Sequence, residues 1–434
     1  MKKTTQFYSK VFFTLFVLLV NIALTNIPVL GLNSDFFSSL FQSTSMFGFM
    51  DMLSGGSMSQ LGISGFGISS YISASIIIQL LGVLLPRIEK VSRNGYHGKE
   101  FIQKANFILA LAITLSGSIA LAISCGKMGL YIHYTPAYVA LSIICWFLGS
   151  FIVIFLALKV EDYGIGNGIS LILTVNILSR IPGQIWNTYA SISGSSNKYV
   201  LVAIIAVMIF LLYLAATYLQ SGKLNVPIKQ NRKQTSIYNS DDVLPIPVNI
   251  ANVLPVVYAA SIISLPVMAV SLLNIDTNGI MDKIISALTS ANWYSPTSWY
   301  HIAGFLLYLA LIVLFGFFCS QLSFNSAEIA DNMRKNGDVI KGVTPGDATI
   351  RYLEKRRFVM TVVNLMFLFL IAVVPDAICA RLGLTQLNFL GTSMIIVTNT
   401  INDLFLRMRA ATVYKKDKYR LFIGKRRKNY VEEA

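Results

Sequence analysis

Charged side chains are scarce in this sequence. Only 13% of the 434 residues are Asp, Glu, Lys or Arg, and 55% are hydrophobic, whereas soluble proteins average about 25% charged residues. The mean hydropathy is +0.64. Apolar runs recur too regularly along the chain for separate soluble cores. The composition therefore indicates one polytopic membrane protein.

Motifs of catalysis and of metal binding are also missing. The chain contains no Walker A, HExxH, GxSxG or DxDxDG sequence. Its four cysteines include no CxxC pair, and Cys145 and Cys319 lie inside apolar runs, which supports neither a disulfide framework nor a zinc site. We predict no catalytic residue, no metal and no cofactor. Any energy for transport then comes from a partner or a gradient.

Ten segments are long and apolar enough to span a bilayer, which takes about 20 residues each. The N-terminus, Met1-Lys2-Lys3, has the charge of a signal peptide but lacks a cleavage site of small residues, so the first run is interpreted as a retained helix. Spans 1 to 10 are predicted at 11–31, 65–85, 106–125, 137–158, 166–186, 200–220, 254–274, 300–320, 358–377 and 387–406.

Basic residues orient these spans, because Lys and Arg of short loops stay in the cytoplasm. With the N-terminus inside, all but five of the 35 basic residues are cytoplasmic, and ten spans return the C-terminus to the same side. The tail 415–428 is strongly basic; it is either a topology anchor beside anionic lipid or a contact for ribosomal RNA or a motor protein. The five external exceptions are Lys127, Arg180, Lys198, Lys283 and Arg381.

Ionisable residues are absent from the middle of all ten spans. Ion-coupled transporters usually carry such groups at mid-membrane, so this class is disfavoured. A passive conduit with apolar walls remains, in which an aliphatic constriction blocks ions by dewetting.

Three connecting stretches stand out. The loops 221–253 and 321–357 are long, polar and basic, and each is either functional or a solvated connector. The external stretch 32–64 is too glycine-rich to span and too apolar for an ordinary loop. It either folds back into a cavity lined by protein or packs on the surface.

Four sequence stretches resemble the SecY family of protein translocase channels. They cover residues 67–81, 163–170, 252–261 and 391–397, and read GISSYISASIIIQLL, YGIGNGIS, NVLPVVYAAS and GTSMIIV. Their order and separation match the family across almost the whole chain. The resemblance implies an all-α fold of ten transmembrane helices, in which the inverted halves 1–190 and 191–434 clasp an hourglass pore. It further implies a channel for unfolded preproteins in a bacterial cytoplasmic membrane. The alternatives are an ion-coupled small-molecule transporter and an insertase-only scaffold.

The resemblance also assigns residues. Aliphatic residues of four spans map onto the pore ring, and two of the pairs are spaced i, i+4 and so share a helix face; ordinary core packing is the alternative. Residues of the folded-back stretch map onto the plug. The ring residues are Ile68, Ile72, Leu173, Ile177, Val257 and Ile396, and the plug residues are Phe47, Phe49, Met50, Met52, Leu53 and Met58.

Partners follow from the resemblance as well. The family implies a SecA-type ATPase motor, SecE-like and SecG-like small subunits, secretory preproteins, lipid and in some systems the ribosome. Spans 2, 3, 7 and 8 would form a lateral gate to lipid. The motor or ribosome interface is predicted at Arg334, Lys335, Lys341, Arg351, Lys355, Arg356 and Arg357.

The chain departs from the family at several positions. Ser70 stands where a proline is usual, and Thr344 stands where the last long loop usually carries an arginine. Threonine replaces neither the charge nor the fork geometry of arginine. These losses indicate either an accessory paralogue of a Gram-positive bacterium that serves a dedicated accessory SecA, or a divergent housekeeping member.

Overall fold

The structure is a computed structural model that describes residues 2–33, 37, 51, 53–85, 95–192, 198–229, 243–273, 279–289, 293, 299–382 and 391–408. Most of these residues are helical. The helices are α1 (Lys2–Asn26), α2 (Gly67–Leu84), α3 (Gly95–Lys127), α4 (Pro136–Tyr163), α5 (Gly168–Ile192), α6 (Lys198–Ser221), α7 (Leu254–Leu273), α8 (Ile280–Leu288), α9 (Trp299–Ser323), α10 (Ser326–Asn336), α11 (Asp347–Arg381) and α12 (391–408).

All ten predicted spans coincide with helices. Spans 1 to 7 correspond to α1 to α7, and spans 8, 9 and 10 correspond to α9, α11 and α12. In the described part of the chain, seven helices are long and apolar enough to cross a membrane: α1, α3, α4, α5, α6, α9 and α11. The helices α2 and α7 contain shorter apolar stretches.

Three helices begin well before their predicted spans, and α1 starts at Lys2, nine residues before residue 11. The helix α3 starts at Gly95 and α11 starts at Asp347, about three turns before the predicted boundaries. Hydropathy detects only the apolar part of a helix, whereas helical hydrogen bonding continues through polar residues that water solvates. The loop 321–357 is therefore shorter than its sequence indicates.

The helices contact one another in two groups. Contacts join α1 with α4 and α5, and α2 with α3, α4 and α5; a second series joins α6 with α11, α11 with α9, and α9 with α7. The helix α7 crosses between the groups, because it also contacts α2 and α3. The chain passes from the first group to the second between α5 and α6, and these two helices contact each other.

Glycines permit the closest helix contacts. A Cβ atom on Gly168 would lie 1.9 Å from the Ala157 carbonyl oxygen, so only glycine allows α5 to start this close to α4. Gly166, in the same YGIGNGIS stretch, has a φ of +95° in the turn between the two helices. The signature glycines thus set the α4–α5 corner.

The two long polar loops combine in one small sheet. Strand β1 (Lys223–Lys229) pairs antiparallel with β2 (Val243–Pro247) of its own loop and with β3 (Val339–Ile340) of the other loop. The helix α10 begins at the N-cap Asn325, whose side chain accepts a hydrogen bond from the Glu328 backbone, and ends at Gly337. The sheet, α10 and the start of α11 enclose a core formed by Val226, Ile228, Ile246, Ile250, Phe324, Ala330, Met333, Ile340 and Leu353.

Candidate functional site

The six aliphatic residues predicted for the pore ring are all buried in the same large apolar core. They lie on four helices that are distant in sequence, and each is at most 9% exposed. All six belong to one continuous cluster of buried apolar side chains. The contributors are Ile68 and Ile72 of α2, Leu173 and Ile177 of α5, Val257 of α7 and Ile396 of α12.

Residues 51 and 53–66 form a re-entrant segment that is largely buried. Leu53 is fully buried and joins the cluster of the six ring candidates. Met58 is also buried but belongs to a neighbouring cluster, with residues of α3 and α4 such as Leu121 and Trp146. The remaining plug candidates, Phe47, Phe49, Met50 and Met52, lie outside the described residues.

The end of the re-entrant segment is tied to the chain that follows α1. The Val29 N–H donates to the Leu61 carbonyl at 3.0 Å, and the Ile63 N–H donates to the Ile27 carbonyl at 3.0 Å. Leu61 has a φ of +52°, a conformation that costs a residue with a side chain about 1–2 kcal/mol. The two backbone hydrogen bonds offset this strain and fix where the segment leads into α2.

An ion pair joins the re-entrant segment to α5. Arg180 Nη2 pairs with Asp51 Oδ2, and the Ser59 N–H donates to Asp51 Oδ1 at 2.8 Å. The Asp51 side chain is 3% exposed, whereas the Arg180 side chain is 31% exposed. Burial raises the pKa of Asp51 above its ordinary value, and the Arg180 charge and the hydrogen bonds from Ser59 oppose that rise.

Two asparagines of α1 and α5 also hold the same segment. Asn21 Nδ2 of α1 donates to Asn176 Oδ1 of α5 at 2.7 Å, and Asn176 Nδ2 donates to the Leu53 carbonyl at 2.9 Å. Sequence analysis noted Arg180 only for topology and missed both asparagines. The available signal was the i, i+4 spacing of Asn176 and Arg180, which places two polar side chains on one face of an apolar helix.

The helices predicted to form the lateral gate meet through α7. Gln79 of α2 donates to the Tyr258 hydroxyl of α7 at 2.8 Å and to Ser75 Oγ at 2.9 Å. The Tyr258 ring also packs edge-on against Phe315 of α9, with centroids 5.8 Å apart. Tyr258 thus contacts both α2 and α9.

The predicted motor or ribosome interface lies on α10, α11 and the turn after β3. Six of its seven basic residues are exposed, and Arg357 is half-buried. Lys335 pairs with Asp331 at 2.7 Å, which lowers the pKa of Asp331, and the Arg356 guanidinium lies 5.0 Å from the Tyr352 ring centroid. The helix α10 packs on α11, so these residues share one structural module, which the predicted topology places in the cytoplasm. The basic tail 415–428 lies outside the described residues.

Among the described residues, no three His, Cys, Asp or Glu side chains come close enough together to hold a metal ion. All four cysteines are free, and Cys125, Cys319 and Cys379 are buried.

Sequence comparison identifies the family. Residues 62–405 match the family model of SecY. The chain belongs to the SecY family. The Protein translocase subunit SecY of Synechococcus elongatus is 30% identical over 388 residues, which cover 87% of this chain and 86% of that protein. The SecY of Streptococcus sanguinis is 31% identical over 412 residues, 92% of each chain.

Solved SecY and Sec61 structures share the fold. One is a SecY protein whose plug domain is described as stabilising the closed state and maintaining a membrane seal; its TM-score is 0.66 at 20% identity, covering 94% of this chain and 93% of that one. Another is Sec61 in a canine ribosome–channel complex from the endoplasmic reticulum, with a TM-score of 0.61 at 19% identity and 93% of each chain covered.

SecY membership confirms the predicted fold class and the predicted function, a protein-conducting translocation channel with a plug. It disfavours the ion-coupled transporter and the insertase-only scaffold. The SecY family is a channel family rather than an enzyme family, and its bacterial members are membrane proteins. The choice between an accessory and a housekeeping SecY stays a prediction.

Proposed function

We propose that this SecY protein conducts unfolded preproteins through a constriction lined by Ile68, Ile72, Leu173, Ile177, Val257 and Ile396. One observation carries the proposal: these side chains come from four separate helices, yet they lie in one buried cluster that also contains Leu53 of the re-entrant segment. In the idle channel the re-entrant segment closes the path. A narrow aliphatic constriction then excludes ions, because it holds little water and an ion inside it would lose its hydration.

The channel opens in two directions. Separation of the halves 1–190 and 191–434 admits a polypeptide across the membrane, and separation of α2 and α3 from α7 and α9 releases apolar segments into lipid. The contacts of α7 with α2 and α3 support this role, since they are the described contacts that such a lateral opening breaks. A SecE-like subunit clamps the two halves, and a SecG-like subunit accompanies it.

A partner protein supplies the energy for transport, because the chain itself is not an enzyme. A SecA-type motor, an accessory SecA in the case of an accessory paralogue, binds the cytoplasmic module through its basic residues. The ribosome is the second candidate for this surface. Both partners fit a rigid module in which the sheet, α10 and α11 share one core and present six exposed basic side chains. Both termini then lie in the cytoplasm of a bacterial cell, on the inner side of the cytoplasmic membrane.

Photo-crosslinking of a stalled preprotein tests the conduit. A photo-reactive amino acid at Ile177, 1% exposed, should crosslink to the stalled chain. The same group at the adjacent Leu178, 44% exposed on the outer face of α5, serves as the matched control and should react with lipid instead. Preprotein crosslinks at Leu178 and none at Ile177 would overturn the assignment of the ring.

A further inference from the structure

The re-entrant segment carries a buried charge that a simple apolar stopper does not need. Asp51 is 2% exposed, and its carboxylate meets Arg180 of α5 and the Ser59 N–H. Ser59 Oγ lies 3.4 Å from Arg180 Nη1 and accepts a hydrogen bond from it. Removing a carboxylate from water is costly unless it is paired and hydrogen-bonded, and here the Arg180 guanidinium and the Ser59 N–H supply that compensation.

The fit around the ion pair is close. Gly55 and Gly56 follow Asp51 with φ angles of +70° and +88°. A Cβ atom on Gly56 would lie 2.6 Å from Arg180 Nη1, and one on Gly55 would lie 3.0 Å from Asn176. The two glycines therefore let the backbone of the segment approach the polar face of α5. The asparagine chain from Asn21 through Asn176 to the Leu53 carbonyl adds a second attachment on the same face.

These attachments are specific for one position of the segment. Apolar packing alone tolerates small shifts, because it has no preferred direction. An ion pair with two further hydrogen bonds is directional, and any displacement of the segment leaves a buried charge without its partner. Breaking the attachment is favourable only when another gain in free energy offsets it, such as the burial of an apolar targeting segment that enters the channel.

We propose that the Asp51–Arg180 pair is a specificity-determining latch, which sets how apolar the targeting segment of a preprotein must be before the re-entrant segment is displaced. The proposal rests on the proposed function, in which this segment closes the channel. Strongly apolar targeting segments open the latch, and weakly apolar ones are rejected.

Labelling of a buried cysteine measures the latch without any transport. Ser57 is fully buried in the re-entrant segment. In the full chain reconstituted in vesicles, a membrane-impermeant maleimide should modify the Ser57→Cys variant slowly. Adding Arg180→Gln or Asp51→Asn should raise the rate about tenfold or more, because each leaves one partner of a buried pair unmatched. The chain without an added cysteine supplies the baseline for the four native thiols.

A double-mutant cycle separates a latch from general destabilisation. If the two residues act as a pair, the double variant Asp51→Asn with Arg180→Gln should label no faster than either single variant. Multiplicative effects of the two substitutions would instead overturn the pairing. Arg381→Gln is the matched control, since it removes an exposed arginine near the outer end of α11; it should leave the rate unchanged. An unchanged rate in Arg180→Gln would also overturn the latch.

Translocation then tests selectivity. Arg180→Gln should increase the transport of a preprotein with a shortened apolar targeting segment relative to one with a strong segment. Faster labelling without a change in this ratio would overturn the role in specificity. A parent channel that transports neither preprotein would contradict the proposed function itself, while the labelling rates would still report on the latch.

Discussion

Gln79 on α2 and Tyr258 on α7 are 179 residues apart, yet the Gln79 amide donates a 2.8 Å hydrogen bond to the Tyr258 hydroxyl. The pair links helices of the two contact groups inside largely apolar surroundings. Tyr258 is 3% exposed, so its hydroxyl has little access to water when the bond breaks. This hydrogen bond therefore helps to hold the predicted lateral gate closed, because a buried donor or acceptor without a partner costs free energy.

Replacing Tyr258 with Phe should make lateral release easier. The substitution keeps the ring and its contact with Phe315 but removes the hydroxyl, which weakens the α2–α7 contact by about 1 kcal/mol. Test segments with graded leucine content should enter the lipid at a lower leucine number, as scored by the fraction that stops in the membrane. Tyr213→Phe on the exposed face of α6 is the control and should leave the threshold in place. An identical threshold in both variants would exclude a gating role for the hydrogen bond.

Hydrating the ring should make the idle channel leak. The triple variant Ile72→Asn, Leu173→Asn, Ile396→Asn places polar groups in the proposed apolar constriction, so water and ions should enter and the closed state should lose stability. A loss of a few kcal/mol in the stability of the closed state is enough to populate the open state, because about 5.5 kcal/mol moves a two-state equilibrium from 1:99 to 99:1. Planar-bilayer conductance of the purified proteins provides the measurement.

The seal experiment has an apolar control. The triple variant Ile72→Leu, Leu173→Ile, Ile396→Leu changes shape without adding polarity, and it should conduct no more than the parent. If the asparagine variant is well folded, at the same protein level, and adds no conductance, the six residues are ordinary core.

Neutralising the predicted motor or ribosome interface should weaken motor binding. Substitution of Arg351, Lys355, Arg356 and Arg357 with Gln removes four positive charges from one end of α11. Because each exposed charge pair contributes about 0.2–1 kcal/mol, we expect an affinity loss of about tenfold. The loss should be mostly in the association rate and should shrink at high salt. Binding kinetics of a SecA-type motor to reconstituted channel, over a salt series, measure it.

A second variant separates the effect of charge from the effect of side-chain shape on this surface. Arg351→Lys with Arg356→Lys and Arg357→Lys keeps the charges and loses only the guanidinium geometry. This variant should retain the salt-dependent part of the affinity. Equal affinity of parent and Gln variant at every salt concentration would mean that these residues only anchor the topology.

The α4–α5 corner should not tolerate a side chain at Gly168. Its Cβ would approach the Ala157 carbonyl oxygen to 1.9 Å, so Gly168→Ala forces the two helices apart. Overpacking of this kind costs about 1–3 kcal/mol. Gly183→Ala in the same helix is the control, because nothing lies within 4 Å of its Cβ position. Thermal unfolding in detergent should show a lower midpoint for Gly168→Ala alone; equal midpoints would refute the close contact.

Sequence alone determined the ten long apolar helices of this protein and its family. Backbone groups in lipid are satisfied within a helix, so ten apolar stretches predict ten helices without knowledge of their neighbours. The motifs around Gly67 and Gly166 then identified SecY, and aliphatic residues spaced i, i+4, such as Ile68 and Ile72, indicated the shared face. Hydropathy did not predict the two short helices α8 and α10, nor the polar starts of α1, α3 and α11.

Tertiary structure decided which distant residues meet. Asp51 and Arg180 are 129 residues apart, and Asn21 and Asn176 are 155 apart, so no local periodicity links them. The sheet of β1, β2 and β3 likewise joins two loops that read as separate polar connectors. Helix formation depends on hydrogen bonds four residues apart. Ion pairs, amide contacts and strand pairing between segments depend on how the helices pack, and that information is not contained in any single segment.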